Sequence, residues 1–186
     1  MSEQPSTPLK LGPGRPRLFD EPTVLDAALQ VFWRKGYEMT TLDDLTRATG
    51  LSRSSLYGCF GSKHDVYLAA INRYDDESYK ALRALAHAAP TPRDAVRRVI
   101  ETMANVDGDR RGCFFVNCVT ELAPHDAEIE AVSRRHLDRI EDLLADAYRD
   151  GGASADAADR AMAVMSVAMG ATLMRRRGSR LTASAR

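Results

Sequence analysis

Between Leu45 and Lys63 the chain carries Arg47, Arg53 and Lys63 and no acid, in a protein whose 26 basic and 26 acidic side chains cancel. Ser52, Ser54, Ser55 and Tyr57 stand among those bases. Guanidinium and ammonium groups neutralise phosphates, and hydroxyls fix register on a sugar-phosphate backbone. An arginine fork can also address guanine in the major groove. The set therefore has the chemistry of a nucleic-acid contact. Its one-signed charge separates it from an ordinary solvated face, where signs mix.

Two short helices must present these groups. Thr41-x-x-Asp44 is a capping box, and Asp43 and Asp44 suit the positive end of a helix dipole. Gly50 offers the left-handed backbone that ends the first helix, and Ser52 the oxygen that begins the second. So tight a turn over residues 41–60 makes the helices cross steeply, bracing one while the other enters a groove. Leu42, Leu45, Ala48, Leu51 and Leu56 are the apolar positions expected to hold the pair together. Capped helical hairpins without this function share the same signals, and the charge pattern decides between them.

The spacing predicts further helices. One begins near Asp20 to Pro22 and stops at Gly36, with Leu25, Ala28, Leu29 and Phe32 as its inner stripe. Ser62-x-x-Asp65 starts a long helix to about Ala86, with Tyr67, Leu68, Ile71, Tyr74, Ser78, Leu82 and Leu85 inward. Thr91-x-x-Asp94 starts another, bearing Val96, Val99, Ile100 and Met103. A mostly buried segment spans residues 112–122, and an amphipathic helix runs from about Asp126 to Asp150 with Ile129, Val132, Leu137, Ile140, Leu144 and Ala147 inside. The last helix, capped by Ser154, carries Ala158, Met162, Met165, Met169 and Leu173. No strand pattern and no repeat is present, so the expected class is all-α.

Composition excludes other classes. No apolar run nears the ~20 residues of a membrane span, and no signal-peptide core opens the chain. Cys59, Cys113 and Cys118 form neither a CxxC pair nor an even set, which fits a reducing cytoplasm. Phosphate loops, nucleophile elbows and metal-binding helix motifs are lacking, and His64, His87, His125 and His136 have no zinc spacing, so neither enzyme activity, cofactor nor metal is expected. His64 sits close enough to the charged segment for a phosphate, or is simply solvated. His125 and His136 are expected at helix ends or on solvated faces. Residues 1–17, rich in Pro, Gly and Ser, are expected to be disordered, with Lys10, Arg15 and Arg17 giving a local charge of one sign.

Residues Phe19 to Ile71 resemble the DNA-binding domain of the tetracycline-repressor (TetR) family of bacterial transcriptional regulators. The matching pieces are Ala27-Ala-Leu-Gln-Val-Phe32, Lys35-Gly-Tyr, Thr40-Thr41, Ala48-Thr-Gly-Leu-Ser52, Leu56-Tyr57, Phe60 and Ser62-Lys63. The resemblance implies an N-terminal three-helix helix-turn-helix domain over residues 18–78. An antiparallel helical bundle for effector binding and dimerisation would follow over 79–178, and a short tail over 179–186. It assigns Thr41, Tyr57 and Lys63 to phosphates and Ser52, Arg53, Ser54 and Ser55 to the reading helix, with Gly58 allowing close approach. Gly14-Arg15-Pro-Arg17 resembles the basic arm that some members lay in the minor groove; a solvated tail is the other reading.

The same resemblance implies a cytoplasmic, homodimeric repressor that binds palindromic double-stranded operator DNA and responds to a small-molecule effector. Effector-site candidates are Met103, Phe114, Asn117, Cys118, Glu121, Met165 and Met169; residue by residue, methionines and phenylalanines on such a face are more often plain core. Some members sense oxidants or electrophiles through a thiol. Cys113, at a helix start after Arg110, Arg111 and Gly112, is the candidate here, since positive charge and the dipole favour thiolate. One departure stands out: members usually end in two bundle helices. This chain has one clear helix, expected from about Ala155 to Arg177, followed by a polar tail.

Overall fold

The structure is a computed structural model and describes residues 19–104, 113–153 and 155–176. Arg15, Arg17, Lys10, Arg110, Arg111, Ser154 and the C-terminal tail lie outside the described residues. Among those described, eight helices and no strand form the fold: α1 (Glu21–Lys35), α2 (Leu42–Thr49), α3 (Arg53–Phe60), α4 (Lys63–His87), α5 (Pro92–Ala104), α6 (Phe114–Glu121), α7 (Ala127–Asp150) and α8 (Ala157–Arg176).

Local capping sets most of these starts. The Asp20 carboxylate accepts the Thr23 N–H at 3.0 Å ahead of α1, and Ser62 Oγ accepts the Asp65 N–H at 3.1 Å ahead of α4. Asp126 Oδ1 accepts from Glu128 and Ile129 ahead of α7. Each cap satisfies amides that have no partner inside their own helix.

Packing then selects the arrangement. Helices α2 and α3 have eight residues each, too few to persist alone in water. Each is pinned by one fully buried leucine, Leu45 and Leu56, worth about 1.5–3 kcal/mol apiece on burial. These leucines join a first core with Val24, Ala28, Leu29 and Phe32 of α1 and Val66, Tyr67, Ala70 and Ile71 of α4. Phe114, Phe115 and Cys118 of α6, with Ile129 and Val132 of α7, close the same core. A second core gathers Leu82, Val99, Ile140, Leu144, Ala157, Ala161 and Met165. Helix α4 runs through both, so residue 78 falls inside a continuous rod rather than at a break.

Several inward positions differ from the sequence reading. Ala48 is exposed, since Leu45 and the half-buried Leu42 make the inward contacts of α2, and Leu85 is 37% exposed near the end of α4. In α8 the buried residues are Ala157, Ala161, Met165, Ala168 and Thr172, whereas Ala158, Met162 and Leu173 face outward. Small residues let α8 lie close against its neighbours, and that closeness outweighs the volume a row of methionines would bury. Asp75 and His136 are buried although both are ionisable, contrary to the solvated place expected for His136.

Candidate nucleic-acid interface

The turn between α2 and α3 has the predicted construction. Thr41 Oγ1 accepts the Asp44 N–H at 3.2 Å while Asp44 Oδ2 accepts the Thr41 N–H at 3.0 Å, so both halves of the capping box are present. Lys35 Nζ lies 2.6 Å from Asp44 Oδ1, and that bond, with those from Thr41, holds the Asp44 carboxyl well below the usual carboxylate range. Gly50 takes φ 71°, and its N–H returns to the Thr46 carbonyl at 3.0 Å. Ser52 Oγ then accepts the Ser55 N–H at 3.1 Å and begins α3.

Helix α3 is buried only at Leu56, with Cys59 and Phe60 half-buried; Ser52, Arg53, Ser54, Ser55, Tyr57 and Gly58 all face solvent. The hydroxyls of Ser54 and Ser55 lie 3.0 and 2.9 Å from that of Ser52, forming one polar cluster at the start of the helix. A Cβ placed on Gly58 meets nothing within 4 Å. Nothing in the protein therefore requires glycine there, and the open surface leaves room for close approach by another molecule.

Two of the three bases are engaged. Arg53 pairs with the exposed Asp43 carboxylate, one residue upstream of Asp44. An exposed pair of this kind is worth little, ~0–1 kcal/mol, so a phosphate or base can displace Asp43 cheaply. Lys63 is held more firmly: its ammonium donates to the carbonyls of Tyr37 at 3.0 Å and Thr40 at 3.2 Å and lies 4.2 Å from the Tyr37 ring centroid. An ammonium has three N–H donors, so one remains for an outside acceptor. Arg47 is exposed. Local charge counting missed both the Asp43 screen and the inward turn of Lys63.

A polar chain behind the turn was not legible from local motifs. Thr40, buried, donates its hydroxyl to the Gly36 carbonyl at 2.6 Å, and Glu121 Oε1 of α6 accepts the Tyr37 N–H at 3.0 Å. Glu121, Tyr37, Thr40 and Lys63 thus connect α6 to the start of α2 and of α4. His64, edge-on to the Tyr37 ring, has its Nε2 2.7 Å from Asp126 Oδ2 and its Nδ1 3.7 Å from Glu128 Oε2, tying α4 to the start of α7.

The structure places the seven residues offered as effector contacts as follows. Phe114, Asn117 and Glu121 line a cleft of about 220 Å³ against the end of α1. Cys118 is buried with its Sγ 2.9 Å from the Tyr67 hydroxyl, and burial pushes its thiol up to about 12. Met165 lies in the second core, with Met103 and Met169 packed against it. Cys113 departs from its expected chemistry: burial pushes its thiol above the ordinary range, outweighing the opposing pull of the Val116 and Phe115 amides and the Tyr74 hydroxyl.

Comparison with known proteins agrees with this geometry. Residues 24–70 match the family model described as bacterial regulatory proteins, tetR family. Residues 92–181 match that described as transcriptional regulator LmrA/YxaF-like, C-terminal domain. The uncharacterized HTH-type transcriptional regulator YezE of Bacillus subtilis is 33% identical over 134 residues, 70% of this chain and 69% of the relative. The HTH-type transcriptional repressor ComR of Escherichia coli is 33% identical over 133 residues, 69% of this chain and 63% of its own length. Among solved structures, a cysteine mutant of the TetR family transcriptional regulator CifR, complexed with 26 bp double-strand operator DNA, superposes with a TM-score of 0.76 at 26% identity. That match covers 89% of this chain and 92% of the other. No described helix is long and apolar enough to cross a membrane.

Proposed function

Because the chain belongs to the tetR family of bacterial regulatory proteins and is a transcriptional regulator with a helix-turn-helix domain, we propose that it is a repressor. It binds a near-palindromic operator as a homodimer in the cytoplasm and leaves that operator when a small molecule binds. The observation that carries this reading is the outward face of α3, where Ser52, Arg53, Ser54, Ser55, Tyr57 and Gly58 are all exposed while Leu56, fully buried, and Phe60, half-buried, anchor the helix. ComR, a repressor, and CifR, seen on operator DNA, support it by similarity.

In this reading Arg53, Ser54 and Ser55 read base edges from the major groove. Thr41, Tyr57 and Lys63 hold phosphates, and Arg15 and Arg17 reach the neighbouring minor groove. The dimer forms through α8, which leaves Met162, Val167, Leu173 and Met174 exposed opposite its buried Ala157, Ala161, Met165, Ala168 and Thr172. A dimer places two reading helices about 34–36 Å apart, one turn of DNA, or a multiple of it. An effector shifts that spacing only through its preference for one arrangement of α4 over another, so DNA and effector oppose each other reciprocally.

Selection of bound sequences from random duplex DNA tests the proposal. A recovered palindrome with steep salt dependence is expected. Failure to retain any duplex at low ionic strength overturns it.

A further inference from the structure

Two adjacent acids at the start of α2 are put to different uses. The Asp44 side chain is 12% exposed and belongs to the fold: it completes the capping box with Thr41 and lies 2.6 Å from the Lys35 ammonium. The Asp43 side chain is 62% exposed, and its Oδ1 reaches across the angle of the helix-turn-helix to accept from Arg53 Nη2 on α3. The capping box is complete without Asp43. An exposed pair of this kind contributes little to stability, so its place matters more than its strength. It sets a carboxylate beside the first residue of α3, on the face where Ser52, Ser54, Ser55 and Tyr57 are exposed.

That face meets a polyanion, and surface charges act on one another over about 10 Å at 0.1 M salt. The carboxylate therefore opposes every phosphate that approaches Arg53. On a duplex with no suitable base in reach, the guanidinium's acceptor is a phosphate. Reaching it breaks the pair and leaves Asp43 facing the backbone unneutralised. Guanine reverses the balance. A guanidinium has five N–H donors in a planar fork; guanine O6 and N7 take two, and another stays on Asp43. Contact with guanine keeps the pair that contact with phosphate gives up.

We propose that Asp43 is a positioning residue that sets specificity: it holds the Arg53 fork toward a base edge and opposes phosphate contact. It thereby lowers affinity for DNA in general and spares a site that offers guanine to Arg53. The proposal rests on the operator reading above and adds the chemistry by which α3 rejects the wrong duplex.

The full chain and its Asp43→Asn, Asp43→Glu, Arg53→Ala and D43N/R53A forms are titrated across a salt series with two labelled duplexes. One is the tightest sequence that the parent recovers from random DNA, and the other a scramble of the same composition. D43N should bind the scramble about threefold more tightly than the parent, with a salt slope steeper by up to about one, and bind the recovered sequence about as the parent does. D43E, which keeps the charge, should retain more of the parent's discrimination. In the R53A background, D43N should change both affinities alike, because Asp43 acts through Arg53.

An unchanged or weaker affinity for the scramble overturns the proposal, and so do equal gains on both duplexes with Arg53 in place. Discrimination that D43N alters equally with and without Arg53 would mean that Asp43 reads a base by itself, and also overturns it. Urea melts verify that each variant folds, and Asp43→Ser replaces D43N if that variant does not. A parent that retains no duplex ends the operator reading itself, an outcome distinct from any of these.

Discussion

His136 Nδ1 of α7 lies 2.7 Å from Asp75 Oδ1 of α4, a bond between two buried side chains that spans the two longest helices. Arg139 donates to the other Asp75 oxygen at 3.0 Å, and the Phe115 ring stacks on the imidazole at 3.6 Å. Burial pulls His136 below its ordinary value of 6.5, against the upward pull of Asp75. The imidazole is thus neutral in the fold, while the unfolded chain takes up a proton first as pH falls. Its contribution is complete above about pH 6.5 and is lost as pH drops from there through the lowered folded value. The melting midpoint should fall between pH 7.5 and 5.5. His136→Gln should flatten that fall while costing roughly 1–3 kcal/mol at pH 7.5. A midpoint equally steep in both proteins would exclude His136 as its source.

Lys63 and Arg53 should separate by phenotype. Lys63→Ala removes two bonds to backbone carbonyls as well as a phosphate partner, so it should lower stability by roughly 1–3 kcal/mol, weaken binding to every duplex and reduce the salt slope by about one. Arg53→Ala breaks only an exposed pair and should leave the melt within about 1 kcal/mol, yet erode discrimination between operator and scrambled DNA. Urea melts and shift assays across a salt series check both.

Gly36 has φ 80°, and a Cβ there would stand 2.9 Å from Glu121 Oε1. Gly36→Ala therefore strains the backbone by about 1–3 kcal/mol and pushes Glu121 from the Tyr37 amide. Reduced stability together with weaker DNA binding is expected in urea melts and shift assays; a neutral substitution would contradict the role given to this loop.

Val167 is 71% exposed on α8 and Met162 53%. If this face joins two copies, Val167→Glu places two charges in an apolar interface and shifts light scattering toward monomer at concentrations where the parent is dimeric. An unchanged dimer would move the interface elsewhere.

Cys113 and Cys118 both have thiols raised by burial. Iodoacetamide at pH 7 should modify them at least about tenfold more slowly in the native protein than in urea, and mild peroxide should leave DNA affinity unchanged. Rapid native alkylation of Cys113 would restore the thiol-sensor reading.

The sequence by itself determined whatever depends on residues three or four apart. Asp20, Thr41 with Asp44, Gly50, Ser52, Ser62 and Asp126 were legible as helix boundaries because a cap bonds within its own first turn and a left-handed glycine acts within one peptide. The outward face of α3 followed from the same local logic, with Leu56 among the inward apolar positions and the bases and hydroxyls opposite. What tertiary structure alone decided are the long-range partners: Lys63 with Tyr37, 26 residues away, Asp75 with His136, 61 away, and Glu121 with Tyr37, 84 away. It also set the rotation of α8. Periodicity reports that a helix has an apolar side, but α8 is lined with alanine and methionine nearly all round, so close packing against α5 and α7 chose which phase is buried.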